Sequence, residues 1–221
     1  MPADNELVVL ASGGVDSAIL VADQAARGHV VHPLYIRFGL AWEQVEEASL
    51  RRFLDAIADR PGIRPLTVLQ LPIADVYGGH WSVSGADTPD ETTPDEAVYL
   101  PGRNLLLLAK TTVWCGLHGV GTIALGTLRG NPFADSTAEF LSGLADLASM
   151  ALSHQIAVVQ PFSELTKAEV LALGSHLPLE HTLSCVAPVG DRHCRTCNKC
   201  AERRKGFAEA GIEDRTRYVL R

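Results

Sequence analysis

Residues 7–20, LVVLASGGVDSAIL, constrain this chain more than any other stretch, because an apolar run breaks into Ser-Gly-Gly and then resumes with helical spacing. That change of period predicts a strand, an anion-binding loop and a helix. Gly13 and Gly14 have no side chains, so the backbone can turn sharply and bring several N–H groups against one anion. The dipole of the following helix adds positive potential there. Leu10, Ala11 and Val15 flank the turn, Ser12 and Ser17 can add hydroxyl donors, and Asp16 can hold Mg²⁺ directly or through water. The loop is shorter than the Walker pattern GxxxxGK[ST] and carries no lysine, so nothing within it grips the β- and γ-phosphates of a nucleotide. A Gly-Gly turn with an Asp cap that only starts a helix is the plain alternative.

With 221 residues, 47% of them hydrophobic, the chain can build one well-buried domain and a small appendage. The division expected is 1–176 for an α/β nucleotide domain and 177–221 for a C-terminal region. Residues 1–6 are acidic and unlike a signal peptide, and the apolar runs are of strand or helix length, which points to a cytoplasmic protein without a membrane span. The net charge of −7 argues against general nucleic-acid binding, but it is uneven. Residues 1–190 hold 10 Lys/Arg against 21 Asp/Glu, and residues 191–221 hold 9 against 5.

Strands alternate with helices along the chain, which predicts a doubly wound α/β layer of five mostly parallel strands. Residues 16–27 read as an amphipathic helix and 29–38 as a buried strand. The end of that strand, Ile36 and Arg37, is expected beside the phosphate loop, where a base or ribose can be held. Residues 42–59 are helical in period, with Val45, Ala48, Leu54 and Ile57 on one face and Glu46, Glu47, Arg51 and Arg52 on a solvated one. Residues 72–97 lack any apolar period and read as either a functional lid or a disordered excursion. Gly102 and Arg103 then open an apolar helix, and a cation at a helix start is unwelcome unless an anion is there too. Cys115 and His118 read as packing residues. Gly126 and Thr127 end the next short strand, and the loop to Asp135 emerges at the carboxyl edge, where such sheets bind ligands. Thr166 to Glu169 has the spacing of a capping box, which holds Lys167 at a helix N-terminus, facing an anion.

Cys185, Cys194, Cys197 and Cys200 follow C-x8-C-x2-C-x2-C. Four thiolates at that spacing can close tetrahedrally on Zn²⁺ and leave no open position for catalysis. His193 as a substitute ligand, disulfides and an iron–sulfur cluster are the alternatives. Arg192, Arg195, Lys199, Arg203 and Arg204 are expected to offset the thiolate charge.

SGGVDS resembles the signature of the PP-loop ATP pyrophosphatases, which cleave ATP between the α- and β-phosphates. Together with YLPGRNLLLLA, LTKAE and SC followed by CRTCNKCAERRKGFAEAG, it is similar to the 7-cyano-7-deazaguanine synthase family over most of the chain. The resemblance implies an adenine nucleotide alpha hydrolase-like fold, ATP with Mg²⁺, and a structural Zn²⁺ on the four cysteines. It implies a ligase that adenylates the carboxylate of 7-carboxy-7-deazaguanine, lets ammonia form the amide, and activates that amide with a second ATP to leave the nitrile. Asp16, Ser17, Arg103 and Lys167 would be catalytic.

Two stretches depart from the family. Arg37-Phe-Gly-Leu-Ala-Trp42 stands where a Tyr-Gly-Gln-Arg-His stretch is usual, and the loop 127–135 stands where a Ser-Gly-Tyr-Pro-Asp-Cys-Arg-like substrate loop is expected. In that loop Arg129 and Asp135 are the candidates for contact with the acceptor. A paralogous ligase that adenylates another carboxylate or a partner protein, a tRNA-thiolating relative and a non-enzymatic zinc-ribbon module are the competing readings. The partners expected are a small-molecule acid and ammonia, with no membrane; a homodimer is left open.

Overall fold

In the computed structural model, which describes residues 5–220, the apolar run after Asn5 forms β1 (Glu6–Leu10). Its side chains alternate between two buried surfaces: Leu7 and Val9 enter one hydrophobic cluster, Val8 and Leu10 the other. A strand covered on both faces must be apolar throughout, which explains why this one reads as a continuous run. Four more strands join it: β2 (Val30–Arg37), β3 (Thr67–Gln70), β4 (Thr122–Ala124) and β5 (Ala157–Val159). Their order is β3-β2-β1-β4-β5, every pairing is parallel, and β1 runs against β2 from Glu6↔Val30 to Leu10↔Leu34. The five-stranded parallel α/β layer expected from the sequence is therefore the architecture observed.

Helices cover both faces. On one lie α1 (Val15–Ala26), α2 (Glu43–Ala56), α7 (Lys167–Leu173) and α8 (Asn198–Ala210), which add Ile19, Phe53, Val170 and Phe207 to the first cluster. On the other lie α5 (Arg103–His118) and α6 (Ala138–Leu152), with Leu108, Cys115, Leu141 and Ala145 in the second. Cys115 is wholly buried and burial pushes its thiol up to about 12, in keeping with a packing role. No helix among the described residues is long and apolar enough to cross a membrane.

Two expectations are corrected. The buried side of α2 is Glu46, Glu47, Ser49, Leu50 and Phe53, whereas Ala48 is exposed; only Arg51 and Arg52 stay at the surface as expected. Gly13 of the phosphate loop approaches this face at Glu46, whose carboxylate accepts from Tyr35 and Trp42. The second correction concerns residues 72–97, which form a folded strap and not a disordered excursion. The strap contains two single-turn helices, α3 (Ala74–Tyr77) and α4 (Trp81–Ser84). Ile73 and Val98 are buried, Trp81 stacks on Trp42 at 5.6 Å, and the far end bonds to the cysteine region. There the N–H of Glu91 donates to Thr196 O at 2.8 Å and that of Asn198 to Pro89 O at 3.0 Å.

Candidate functional site

The order of the sheet reverses between β1 and β4, and the loops leaving their carboxyl ends part to opposite faces, which opens a crevice between them. A cleft of about 560 Å³ occupies that position. Leu10, Ser12, Gly14, Asp16 and Ser17 line it from the phosphate loop, Gly126 to Phe133 from the loop after β4, and Arg103, Lys167 and Glu202 from three helices. Asp16, Arg103, Lys167, Thr127 and Arg129, far apart in the chain, thus share one wall system.

The loop is braced from within. The Ser17 hydroxyl accepts the N–H of Ser12 at 3.1 Å and donates to Gly14 O at 3.2 Å, while the Gly14 N–H reaches the Ser12 hydroxyl at 3.3 Å. From outside, the N–H of Leu183 donates to Gly13 O at 2.8 Å. Gly14 caps α1, so the positive end of that helix faces the cleft.

Thr166 and Glu169 complete the expected capping box, which fixes Lys167 as the first residue of α7. The Lys167 ammonium lies 2.6 Å from Asp16 Oδ2 and 3.1 Å from Glu202 Oε1. Burial alone disfavours its charge, but the carboxylates of Asp16 and Glu202 more than reverse this and raise its pKa. Burial also opposes charge on Glu202, yet Lys167 and Lys199 hold its carboxyl down at about 2.

Two buried polar atoms in the cleft have no partner among the described residues: Asp16 Oδ1 and Arg103 Nε. An orphaned carboxylate oxygen and an orphaned guanidinium N–H lining one cleft are costly in a finished core, and they are what a site for a cation and a polyanion requires. The residues present therefore fit Mg²⁺ at Asp16 and phosphate near Arg103.

At the start of α8, the four cysteine sulfurs lie within 4.8 Å of one another, with Cys194 to Cys200 and Cys185 to Cys197 at 3.9 Å. A tetrahedral thiolate site with Zn–S near ~2.3 Å has S···S edges of about 3.8 Å, so the cluster fits an ion such as Zn²⁺. The N–H groups of Cys194 and Cys197 point at Cys185 Sγ and Cys194 Sγ at 3.2 and 3.3 Å, as donors to thiolates do. All five cysteines are free of disulfides. His193 is not part of the cluster: its Nε2 accepts the Ser184 N–H at 3.1 Å, and burial first, then Arg203, pushes its pKa down to about 3.

The family profile described as "Queuosine biosynthesis protein QueC" matches residues 6–211. The chain belongs to the QueC family. A 7-cyano-7-deazaguanine synthase of Syntrophobacter fumaroxidans is 34% identical to this QueC-family chain over 229 residues, covering 96% of it and 95% of the relative. The synthase of Novosphingobium aromaticivorans is 32% identical over 223 residues, covering 96% and 93%. Among solved structures, a 4-thiouridine synthetase–RNA complex with bound ATP has a TM-score of 0.52 at 16% identity, covering 94% of this chain and 50% of the other. That likeness is one of fold.

Several expected site residues of this QueC-family chain lie outside the cleft. Ile36 is buried in the second cluster, and Arg37 is taken by Glu47, with Nε at 2.6 Å and Nη2 at 2.9 Å from its two oxygens. Asp135 is buried and serves α5: it accepts the backbone N–H of Asn104 at 3.0 Å and its side-chain amide at 3.3 Å. Its contribution is therefore to fix the start of the helix that carries Arg103. Arg203 interacts electrostatically with Cys200 of the cluster, and it is also tied down by neutral acceptors. It is 1% exposed and donates to Thr216, Thr182, Ser184 and the carbonyl of Leu179. Arg204 pairs with Glu91 and Lys199 with Glu202.

Glu46 and Glu202 escaped sequence reasoning. The signal for Glu46 is faint, an acid in a helix that buries a different face from the one its apolar period predicts. For Glu202 there was none, because its partner Lys167 lies on another helix.

Proposed function

We propose that this chain is an ATP-dependent carbon–nitrogen ligase that converts 7-carboxy-7-deazaguanine and ammonia to 7-cyano-7-deazaguanine, releasing AMP and pyrophosphate. The observation that carries the proposal is the meeting of Asp16, Arg103 and Lys167 in one cleft, with Asp16 Oδ1 and Arg103 Nε buried and unpartnered, in a chain whose curated relatives bear the synthase name.

Mg²⁺·ATP, when bound, supplies the adenylyl group that makes a carboxylate or amide oxygen a leaving group, and pyrophosphate departs. The residues of the chain do the rest. The first turn of α1 and the Gly13–Gly14 backbone cradle the phosphates. The unpartnered oxygen of Asp16 would hold the cation. Arg103 and Lys167 stand where negative charge grows as pyrophosphate leaves, and such preorganised cations favour that state over the ground state. The loop 127–133 overhangs the same space, so it orients the acceptor and narrows access for water. Zn²⁺ on the four cysteines is structural in this proposal, since no ligand position is left open.

The test is direct. Purified protein incubated with 7-carboxy-7-deazaguanine, ATP, Mg²⁺ and ammonium should yield the nitrile by mass spectrometry, with AMP and pyrophosphate formed at each of the two activations. ATP left intact in the presence of this acid and of other planar acids would overturn the ligase assignment.

A further inference from the structure

We propose that Glu202 and Gly206, on the helix that begins at the cysteine cluster, form the seat that positions Lys167 over the phosphate loop, so that the cysteine site acts on the ATP site through one side chain. This rests on the ligase reading given above.

Cys197 is the N-cap of α8 and Cys200 lies in its first turn, so the position of this helix is set by the cluster. Glu202 and Gly206 are one helical turn apart and share the side that meets α7. Gly206 leaves room for the lysine stem: a Cβ there would stand 2.7 Å from Lys167 Cγ and 3.0 Å from Leu171 Cδ1. Both neighbours are packed side chains, and Leu171 is fully buried. Glu202 then fixes the other end of the side chain, with Oε1 at 3.1 Å from Lys167 Nζ and Oε2 at 2.6 Å from Lys199 Nζ.

A carboxylate on the wall of a polyphosphate cleft is electrostatically adverse unless it has another task. An ammonium has three N–H donors. Asp16 and Glu202 take two of them, which leaves the third for an anion in the cleft. When Asp16 engages a cation, Glu202 keeps Lys167 from swinging away. The Lys167 side chain is 16% exposed, so it is held along most of its length.

The experiment compares Glu202→Leu and Gly206→Ala with the parent protein at matched zinc content and melting temperature. If either fails to fold, Glu202→Gln keeps the shape and removes the charge. Without ATP, the acylation rate of Lys167 by acetic anhydride is read by peptide mass spectrometry, with Lys110 as internal reference. It should rise several-fold in each variant. With ATP and acceptor, kcat for pyrophosphate release should fall about tenfold or more while KM for ATP stays within about twofold. The double variant Glu202→Leu/Lys167→Met should be no slower than Lys167→Met alone, since Glu202 acts through the lysine. Unchanged labelling, or losses that add in the double variant, would overturn the seat. Faster labelling in a protein that never releases pyrophosphate would keep the seat and remove the ATP reading; unchanged labelling with normal turnover would do the reverse.

Discussion

The Glu46 carbonyl oxygen lies 2.6 Å from where a Cβ on Gly13 would stand, and the Glu46 Cγ lies 3.2 Å from it. The phosphate loop therefore rests on α2 with no room for a methyl group, and Gly13 also has φ +74. Gly13→Ala should cost about 2 kcal/mol or more, part for the left-handed backbone and part for the displaced helix. In a chain of this size that lowers Tm by roughly 4–8 °C. An unchanged melting curve would show that loop and helix separate freely.

Glu46 has a further consequence, in the pH dependence of stability. Its carboxyl is buried, accepts from Tyr35 Oη at 2.7 Å, and lies 3.3 Å from Trp42 Nε1. Burial, opposed by Arg103, pushes its pKa from 4.5 up to about 7. A folded-state pKa above the unfolded one means that the folded protein binds this proton more tightly. The resulting stabilisation is complete below the unfolded pKa and is lost as pH rises through the folded one, an effect of up to about 3 kcal/mol. Glu46→Gln should thus gain on the parent protein as pH rises from about 5 to about 8, with a flatter Tm profile over that window. Parallel profiles would mean that the carboxyl is not buried as described.

Asp16→Ala should abolish Mg·ATP turnover, by about a hundredfold or more, while the fold survives. The substitution deletes the unpartnered oxygen proposed to hold the cation but no core volume, and Lys167 keeps Glu202 as a counter-charge. Circular dichroism and pyrophosphate release, measured together, decide the matter. A folded variant with undiminished release would refute the adenylation mechanism.

Cys197→Ser should lower zinc content and thermal stability together, by several kcal/mol. Cys197 is both a cluster residue and the cap of α8, and Asp90 of the strap pairs with it in an antiparallel bridge. Loss of the ion should therefore also expose residues 89–93 to proteolysis. A variant that melts like the parent without zinc would contradict a structural metal.

The signals that were legible in the sequence are local ones. The SGG turn, the Thr166–Glu169 box and the C-x2-C turns each bring their own partners within a few residues, and each appears in the structure where it was expected. The parallel layer followed from the α/β alternation, whereas the strand order and the contact of Lys167 with Asp16 were not written in it. What the sequence hid depends on contacts between distant segments. The acid at 46 is buried against Tyr35 and beneath the glycine loop, and Asp135 is spent on Asn104 because α5 starts beside it. The strap at 72–97 has no period of its own, since it packs by single residues such as Ile73 and Trp81.

Substrate choice should reside in the loop after β4, which departs from the family pattern. Arg129 lines the cleft and is exposed, so it is free to meet a carboxylate, and Phe133 lines it with a flat face backed by Tyr99, ring centroids 5.0 Å apart. A stacked aromatic pair beside a cation suits a planar heterocyclic acid. A charge-assisted contact contributes roughly 1.5–3 kcal/mol, so Arg129→Ala should raise the KM for the acid by about tenfold or more. Its kcat should change little if Arg129 only holds the ground state. Phe133→Ala should weaken the planar acid in the same way and leave the KM for ATP alone. The measurement is the full set of KM and kcat values with 7-carboxy-7-deazaguanine and with a panel of other planar acids. Should another acid be turned over faster, and the two variants lose that acid selectively, the loop still sets specificity but the acceptor is different. If both variants match the parent on every acid, specificity lies elsewhere in the cleft.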